Sequence, residues 1–114
     1  MLRFYFKKKY RLSNKEDFNF VFKKPVKLEK SEIIILGRSN LLEYSRLGLS
    51  ITKKNIRHAH ERNRLKRLIR ESFRLSQHKI IRMDFVIMVK RNAVKLHSTI
   101  LRDTLEKLWL YYYQ

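Results

Sequence analysis

Residues 61–74 read Glu-Arg-Asn-Arg-Leu-Lys-Arg-Leu-Ile-Arg-Glu-Ser-Phe-Arg. At about 100° per residue, Arg62, Asn63, Lys66, Arg67, Arg70 and Arg74 fall within one arc of a helix. Leu65, Leu68, Ile69, Ser72 and Leu75 take the opposite arc, with Phe73 at its margin. One side can bury against a sheet while the other offers a row of donors matched to phosphate oxygens. Charge on a helix is ordinarily only a solvated face, but such faces mix signs for i,i+4 support. This one is almost wholly positive. Asn63 sits among the arginines, where a short amide can hydrogen-bond a ribose or a base edge. The chemistry to expect is the binding of a polyanion.

Catalytic patterns are harder to find. Metal-assisted phosphodiester cleavage needs carboxylates that converge on divalent ions. The acids here are scattered singly, from Glu16 and Asp17 through Asp84 to Asp103 and Glu106. His58-Ala59-His60-Glu61 is not the helical H-E-x-x-H pattern, and no cysteine completes a site. On any helix there, His58 and His60 fall on different sides. Gly48-Leu49-Ser50 lacks the second glycine of a nucleophile elbow. No protein metal site and no catalytic group are expected. Phe18 and Phe22 have two readings, as core or as a platform on which unpaired bases stack.

These groups need a frame. Two glycines and one proline punctuate the chain, so regular elements with short connections are expected. Residues 1–12 read as an extended basic and aromatic arm. Ser13-Asn14-Lys15-Glu16 matches a capping box with Ser13 as N-cap. The short helix after it carries Phe18, Val21 and Phe22 on one side and ends at Pro25. Residues 26–29 suggest a brief edge strand, and Ile33-Ile34-Ile35-Leu36 a buried one. Residues 37–45 read as a polar turn. Leu47, Leu49 and Ile51 alternate with Gly48, Ser50 and Thr52, a strand with one core face and one small, polar face. Residues 53–60 form a basic connection into the cationic helix, which ends near Ser76 or Gln77. Residues 84–89 are a further buried strand. A last helix starts near Ser98 as N-cap, with Leu101, Leu105, Leu108 and Tyr112 as its core stripe. Arg102–Glu106 and Asp103–Lys107 can pair on its outside. The expected fold class is α+β in the order α-β-β-β-α-β-α, a small two-layer sandwich of a mixed β-sheet with helices packed on it.

Composition narrows the partner. The chain's 114 residues suit a single domain, 1–114, and an apolar fraction of 44% excludes a disordered basic tail. Against that stand 28 Lys and Arg with 10 Asp and Glu, a formal net charge of +18. A fold that repels itself so strongly works beside a large anion, and nucleic acid is the first candidate. A membrane surface is disfavoured: no apolar run approaches the length of a span. The amino terminus lacks the order of a secretion signal, so the cytoplasm is the expected compartment.

The motifs together name a family. Arg62-Asn63-Arg64, continued by Leu65-Lys66-Arg67-Leu68-Ile69-Arg70-Glu71-Ser72-Phe73-Arg74, closely resembles the signature helix of the bacterial ribonuclease P protein subunit. Arg46-Leu47-Gly48-Leu49-Ser50-Ile51-Thr52-Lys53-Lys54 looks like the family's strand ahead of that helix. Asp17-Phe18 with Val21-Phe22 resembles its first helix, and Asp84-Phe85-Val86-Ile87 its last strand. The resemblance implies a left-handed β-α-β crossover, contrary to the usual hand. It also implies a protein that does not cut. An RNA subunit with bound magnesium would hydrolyse precursor tRNA, while the protein, itself binding no cofactor, would add affinity for the 5′ leader and stabilise the active RNA. Phe18, Phe22, Ser50, Thr52, Asn63, Lys66 and Arg70 would line a cleft for the single-stranded leader. Lys53, Lys54, Arg57, Arg62, Arg64 and Arg67 would approach the catalytic RNA. No membrane and no protein partner are implied.

There are departures, among them that carboxylates assigned to metal binding in the family do not map clearly onto this chain. Some members carry an aromatic residue on the strand placed at 33–36, and this chain has none there, which puts more of the stacking on Phe18 and Phe22. Two other readings remain: a small basic ribosomal or other structural RNA-binding protein using the same helix, and a DNA-binding helix-turn-helix. The second is weakened because residues 53–60 read as irregular where a short helix is needed.

Overall fold

In the computed structural model, which describes residues 8–114, four strands form one mixed sheet. The elements are α1 (Lys15–Lys23), β1 (Val26–Glu29), β2 (Ile33–Ser39), β3 (Arg46–Ser50), α2 (Ala59–Ser76), β4 (Met83–Val89) and α3 (Ser98–Leu110). Two 3₁₀ turns, Lys8–Tyr10 and Arg91–Lys95, complete them. The strand order is β1-β2-β4-β3. β1 and β4 both run antiparallel to β2, while β3 and β4 pair in parallel. The expected α+β class and element order are observed, with β3-α2-β4 as the crossover unit between the parallel strands.

Alternation of side chains divides the core into two parts. Ile33, Ile35, Leu47, Phe85 and Ile87 join α2 and α3 on one face through Leu65, Ile69, Phe73, Leu105 and Trp109. Leu36 and Val86 point the other way, to Val21 of α1 and to Leu12. α1 therefore covers the face opposite α2 and α3. The larger core closes on an aromatic cluster in which the Phe85 ring lies 5.2 Å from Trp109 and 4.9 Å from Tyr112. The Trp109 indole N–H donates to Ser72 Oγ at 2.9 Å, so the buried donor is satisfied from the inner side of α2.

Several local expectations are corrected. The α1 cap is Asn14, not Ser13: its Oδ1 accepts the Asp17 N–H at 2.9 Å. Both residue types cap well, and the chain enters the helix one residue later than the box pattern suggests. His97, not Ser98, caps α3, with Nδ1 accepting from the Thr99 N–H at 3.2 Å. β2 continues through Gly37, Arg38 and Ser39, which pair with Phe85, Asp84 and Met83, so the turn is shorter than 37–45. Phe73 is fully buried while Leu75 is half exposed. Because α3 packs beside α2, the buried arc turns toward Phe73. Of the two expected outer pairs on α3, Asp103–Lys107 closes at 2.9 Å. Of the expected extended arm, residues 1–7 lie outside the described residues. Lys8–Tyr10 is a 3₁₀ turn, and pairing begins at the Arg11–Leu47 bridge.

Candidate nucleic-acid interface

Phe18 and Phe22 lie one turn apart on α1, and their rings stack at 6.3 Å with an interplanar angle of 27°. Phe18 is half-buried against Leu12, Val21, Leu36 and Val86, whereas Phe22 is 42% exposed. The two readings of this pair therefore both hold: one side of Phe18 is core, and the pair continues outward into solvent. Gly48 of β3 makes the seat possible. A Cβ there would meet Phe18 Cζ at 2.7 Å and Cε1 at 2.8 Å. The ring rests on the bare backbone of the strand.

The next stretch of this surface is cationic. Arg11 bridges to Leu47 beside Gly48, and the Leu12 N–H donates to the Leu47 carbonyl at 2.9 Å. Arg70 of α2 feels the Arg11 charge. Burial first, and that like charge second, hold its guanidinium below the usual range. An anion placed between them would offset the like charge. Asn63 and Arg67 are exposed, and Lys66 is half-buried. Among the described residues no carboxylate pairs with Lys66, Arg67 or Arg70. Ser50, half-buried, shares the α1-side face of β3 with Gly48. Thr52 lies just past the strand, where its Oγ1 accepts the Asn55 N–H at 3.3 Å. Lys53, Lys54 and Arg57 are exposed on the connection to α2.

Two arginines behave differently from the rest of the row. All three nitrogens of Arg64 are engaged by protein acceptors. They reach Glu61, the Val94 and Leu96 carbonyls at 3.3 Å, and Ser98 Oγ at 3.1 Å. It is a tie between α2 and the start of α3 rather than an open donor. Arg62 donates from one nitrogen to the Ile56 and Arg57 carbonyls, each at 2.9 Å, which shapes the basic connection; its other nitrogens make no hydrogen bond among the described residues.

The acids are spent singly. Asp84 is 1% exposed and accepts two hydrogen bonds from Arg46, at 2.9 and 2.7 Å, and one from Asn40 at 2.8 Å. That bidentate bond raises the Arg46 guanidinium above its ordinary range. Asp17 stands 3.7 Å from the same Arg46, Glu61 serves Arg64, and Glu29 pairs with Lys27 and Lys90. No group of three or more His, Asp or Glu side chains among the described residues can hold a metal ion. The His58 and His60 rings, expected on different sides, stack at 5.5 Å, because His58 is the N-cap residue outside the helix. Sequence reasoning did not anticipate Arg11, which looks like one more charge in a basic arm until β3 pairs beside it. No helix among the described residues is long and apolar enough to cross a membrane.

Known proteins resemble this chain in sequence and in fold. The family model described as Ribonuclease P matches residues 6–113. The chain is 50% identical over its full length to the whole ribonuclease P protein component of Buchnera aphidicola subsp. Baizongia pistaciae. It is 48% identical to that of Escherichia coli O157:H7, across 96% of this chain and 92% of the relative. Among solved structures, the Staphylococcus aureus RNase P protein superposes with a TM-score of 0.82 at 26% identity, covering 90% of this chain and 93% of that one. The Thermotoga maritima RNase P protein gives 0.79 at 29% identity, covering 91% and 98%. A match that spans nearly every element, from α1 through α3, leaves one conclusion: the chain belongs to the ribonuclease P protein family.

Proposed function

We propose that this chain is the protein subunit of a ribonucleoprotein endonuclease that removes the 5′ leader from precursor tRNA in the cytoplasm. As one RNA-binding domain it holds the single-stranded leader and the catalytic RNA, and magnesium bound to that RNA supplies the hydrolytic chemistry. Carboxylates that are scattered and do not converge fit a binder better than a metal centre, so no step is assigned to a protein group. The observation that carries the reading is the join between the Phe18–Phe22 pair seated on Gly48 and the Arg11–Arg70 charge concentration beside the same strand. Aromatic faces beside a cationic strip suit a single strand, whose bases stack while its phosphates find donors.

Leader contacts are assigned to Phe18, Phe22, Ser50, Thr52, Asn63, Lys66 and Arg70, with Arg11 added. The catalytic RNA is assigned to Lys53, Lys54, Arg57 and Arg67, and to the remaining donors of Arg62. Arg64, expected in that group, is assigned a supporting part, since it holds α2 against the start of α3. The test is reconstitution. The chain is purified with the RNA it carries, that RNA is sequenced, and precursor tRNA cleavage is followed at low magnesium. We expect the RNA subunit to cleave with the protein and to stall without it. Equal cleavage with and without protein would refute the proposal.

A further inference from the structure

A second pocket lies away from the Phe18–Phe22 surface, where the 3₁₀ turn Lys8–Tyr10, the start of β3 and the segment between α2 and β4 meet. Its volume is about 230 Å³, and Tyr10, Glu43, Tyr44, Gln77, His78 and Arg82 stand in its wall. That is smaller than a site for a drug-sized ligand, roughly 300–1,000 Å³. It is the scale of one planar ring system. Two aromatic rings stand in its wall: Tyr10 and Tyr44 meet edge to face at 5.4 Å. Lys9 Nζ sits over both, 5.0 and 5.2 Å from their centroids. Arg82 is exposed at the rim and has no hydrogen bond or ion pair among the described residues.

Two acceptors distinguish this pocket from the rest of a strongly cationic molecule. Gln77 is only 8% exposed, yet its Oε1 is buried without a hydrogen-bond partner. Its last torsion is soft, so a small turn of the amide presents that oxygen to an occupant. Glu43 adds an exposed carboxylate, which accepts hydrogen bonds only. A carboxylate in the wall repels a bare phosphate. What the set fits is a ring whose edge carries N–H donors, with its phosphate turned out toward Lys9 and Arg82. Protein modules read unpaired RNA bases in this manner, by aromatic contact and hydrogen bonds to the base edge.

We propose that this pocket takes a single unpaired guanine nucleotide of the RNA, its N1–H and N2–H groups directed at Glu43 and Gln77. The site rests on the RNA-binding reading above but uses none of the residues assigned there. Guanosine, adenosine, cytidine and uridine monophosphates and inorganic phosphate are each titrated into the full chain. Binding is followed by NMR through the backbone amides of Tyr44 and Gln77 and the Gln77 side-chain amide. Guanosine monophosphate should shift these signals and bind at least fivefold more tightly than the other three. Glu43→Gln should remove most of that preference, and Gln77→Leu should weaken guanosine monophosphate at least fivefold with a thermal melt confirming that the variant is folded. Equal binding of all four nucleotides, the same shifts with inorganic phosphate, or no shift in the pocket would overturn the proposal. A single-stranded leader oligonucleotide in the same assay separates the two readings. Leader binding at Phe18 and Lys66 with a pocket silent to guanosine monophosphate sinks only the guanine site, whereas no leader binding and no guanosine monophosphate binding sinks both.

Discussion

Arg64 shows how a residue's type can point to one partner and its position to another. In the sequence it is one of many cations on a helix that resembles an RNA-binding signature. In the fold its guanidinium is half-buried and satisfies the carbonyls of Val94 and Leu96. Removing it leaves those acceptors and Glu61 without their donor. We expect Arg64→Ala to lower stability by about 2 kcal/mol, measured by denaturant unfolding; a variant as stable as the parent would contradict this. Tyr112 makes the opposite case. Its hydroxyl is buried without a hydrogen-bond partner, and burial raises the phenol above its ordinary value of 10.0. A raised folded-state value means that the neutral phenol's stability is fully present below pH 10 and lost as pH rises through the folded-state value. Tyr112→Phe should therefore gain roughly 1 kcal/mol near neutrality, from relief of the unpaired hydroxyl. Its advantage should widen above pH 10 in thermal melts.

At the scale of elements, most of the fold was legible because hydrophobic period and punctuation agreed. The isoleucine run 33–36, the alternation from Leu47 and the leucine stripe of α3 each imply one kind of element and one buried side. The cap misses at Asn14 and His97 are one-residue local shifts; the larger ones depend on a neighbour distant in sequence. Gly37 looks like the end of a strand, yet it pairs with Phe85. Phe73 looks marginal on α2 until α3 covers it. Arg11 gains its meaning only from the bridge to Leu47. The candidate site was legible as a set of types, aromatics on α1 and cations on α2, but not the seat that joins them. That seat is the contact between Gly48 and the Phe18 ring, and it can be tested as a coupling. Gly48→Ala should cost about 1–3 kcal/mol, because the new methyl overlaps the ring. Most of that cost should disappear in a Phe18→Ala background. Equal costs in the two backgrounds would mean that the ring does not rest on β3.

For the whole molecule, charge dominates. A formal net charge of +18 on 114 residues acts at a distance on any RNA, and Lys66, Arg67 and Arg70 of α2, which pair with no carboxylate among the described residues, add to that field. If about six phosphates are engaged at roughly −0.7 each for a single strand, the log–log salt slope of leader affinity is near −4. A flat dependence would contradict an electrostatic interface. Charge alone does not distinguish leader from any other RNA, however, and under the proposed function the aromatic pair supplies that difference. The most direct measurement compares precursor and mature tRNA binding to the reconstituted particle carrying either the native chain or Phe18→Leu, which keeps apolar bulk but removes the stacking face. Base stacking is worth about 1–3 kcal/mol, so precursor affinity should fall roughly tenfold while mature tRNA affinity stays unchanged. An equal loss for both RNAs, or none for either, would contradict a leader-binding role for this surface.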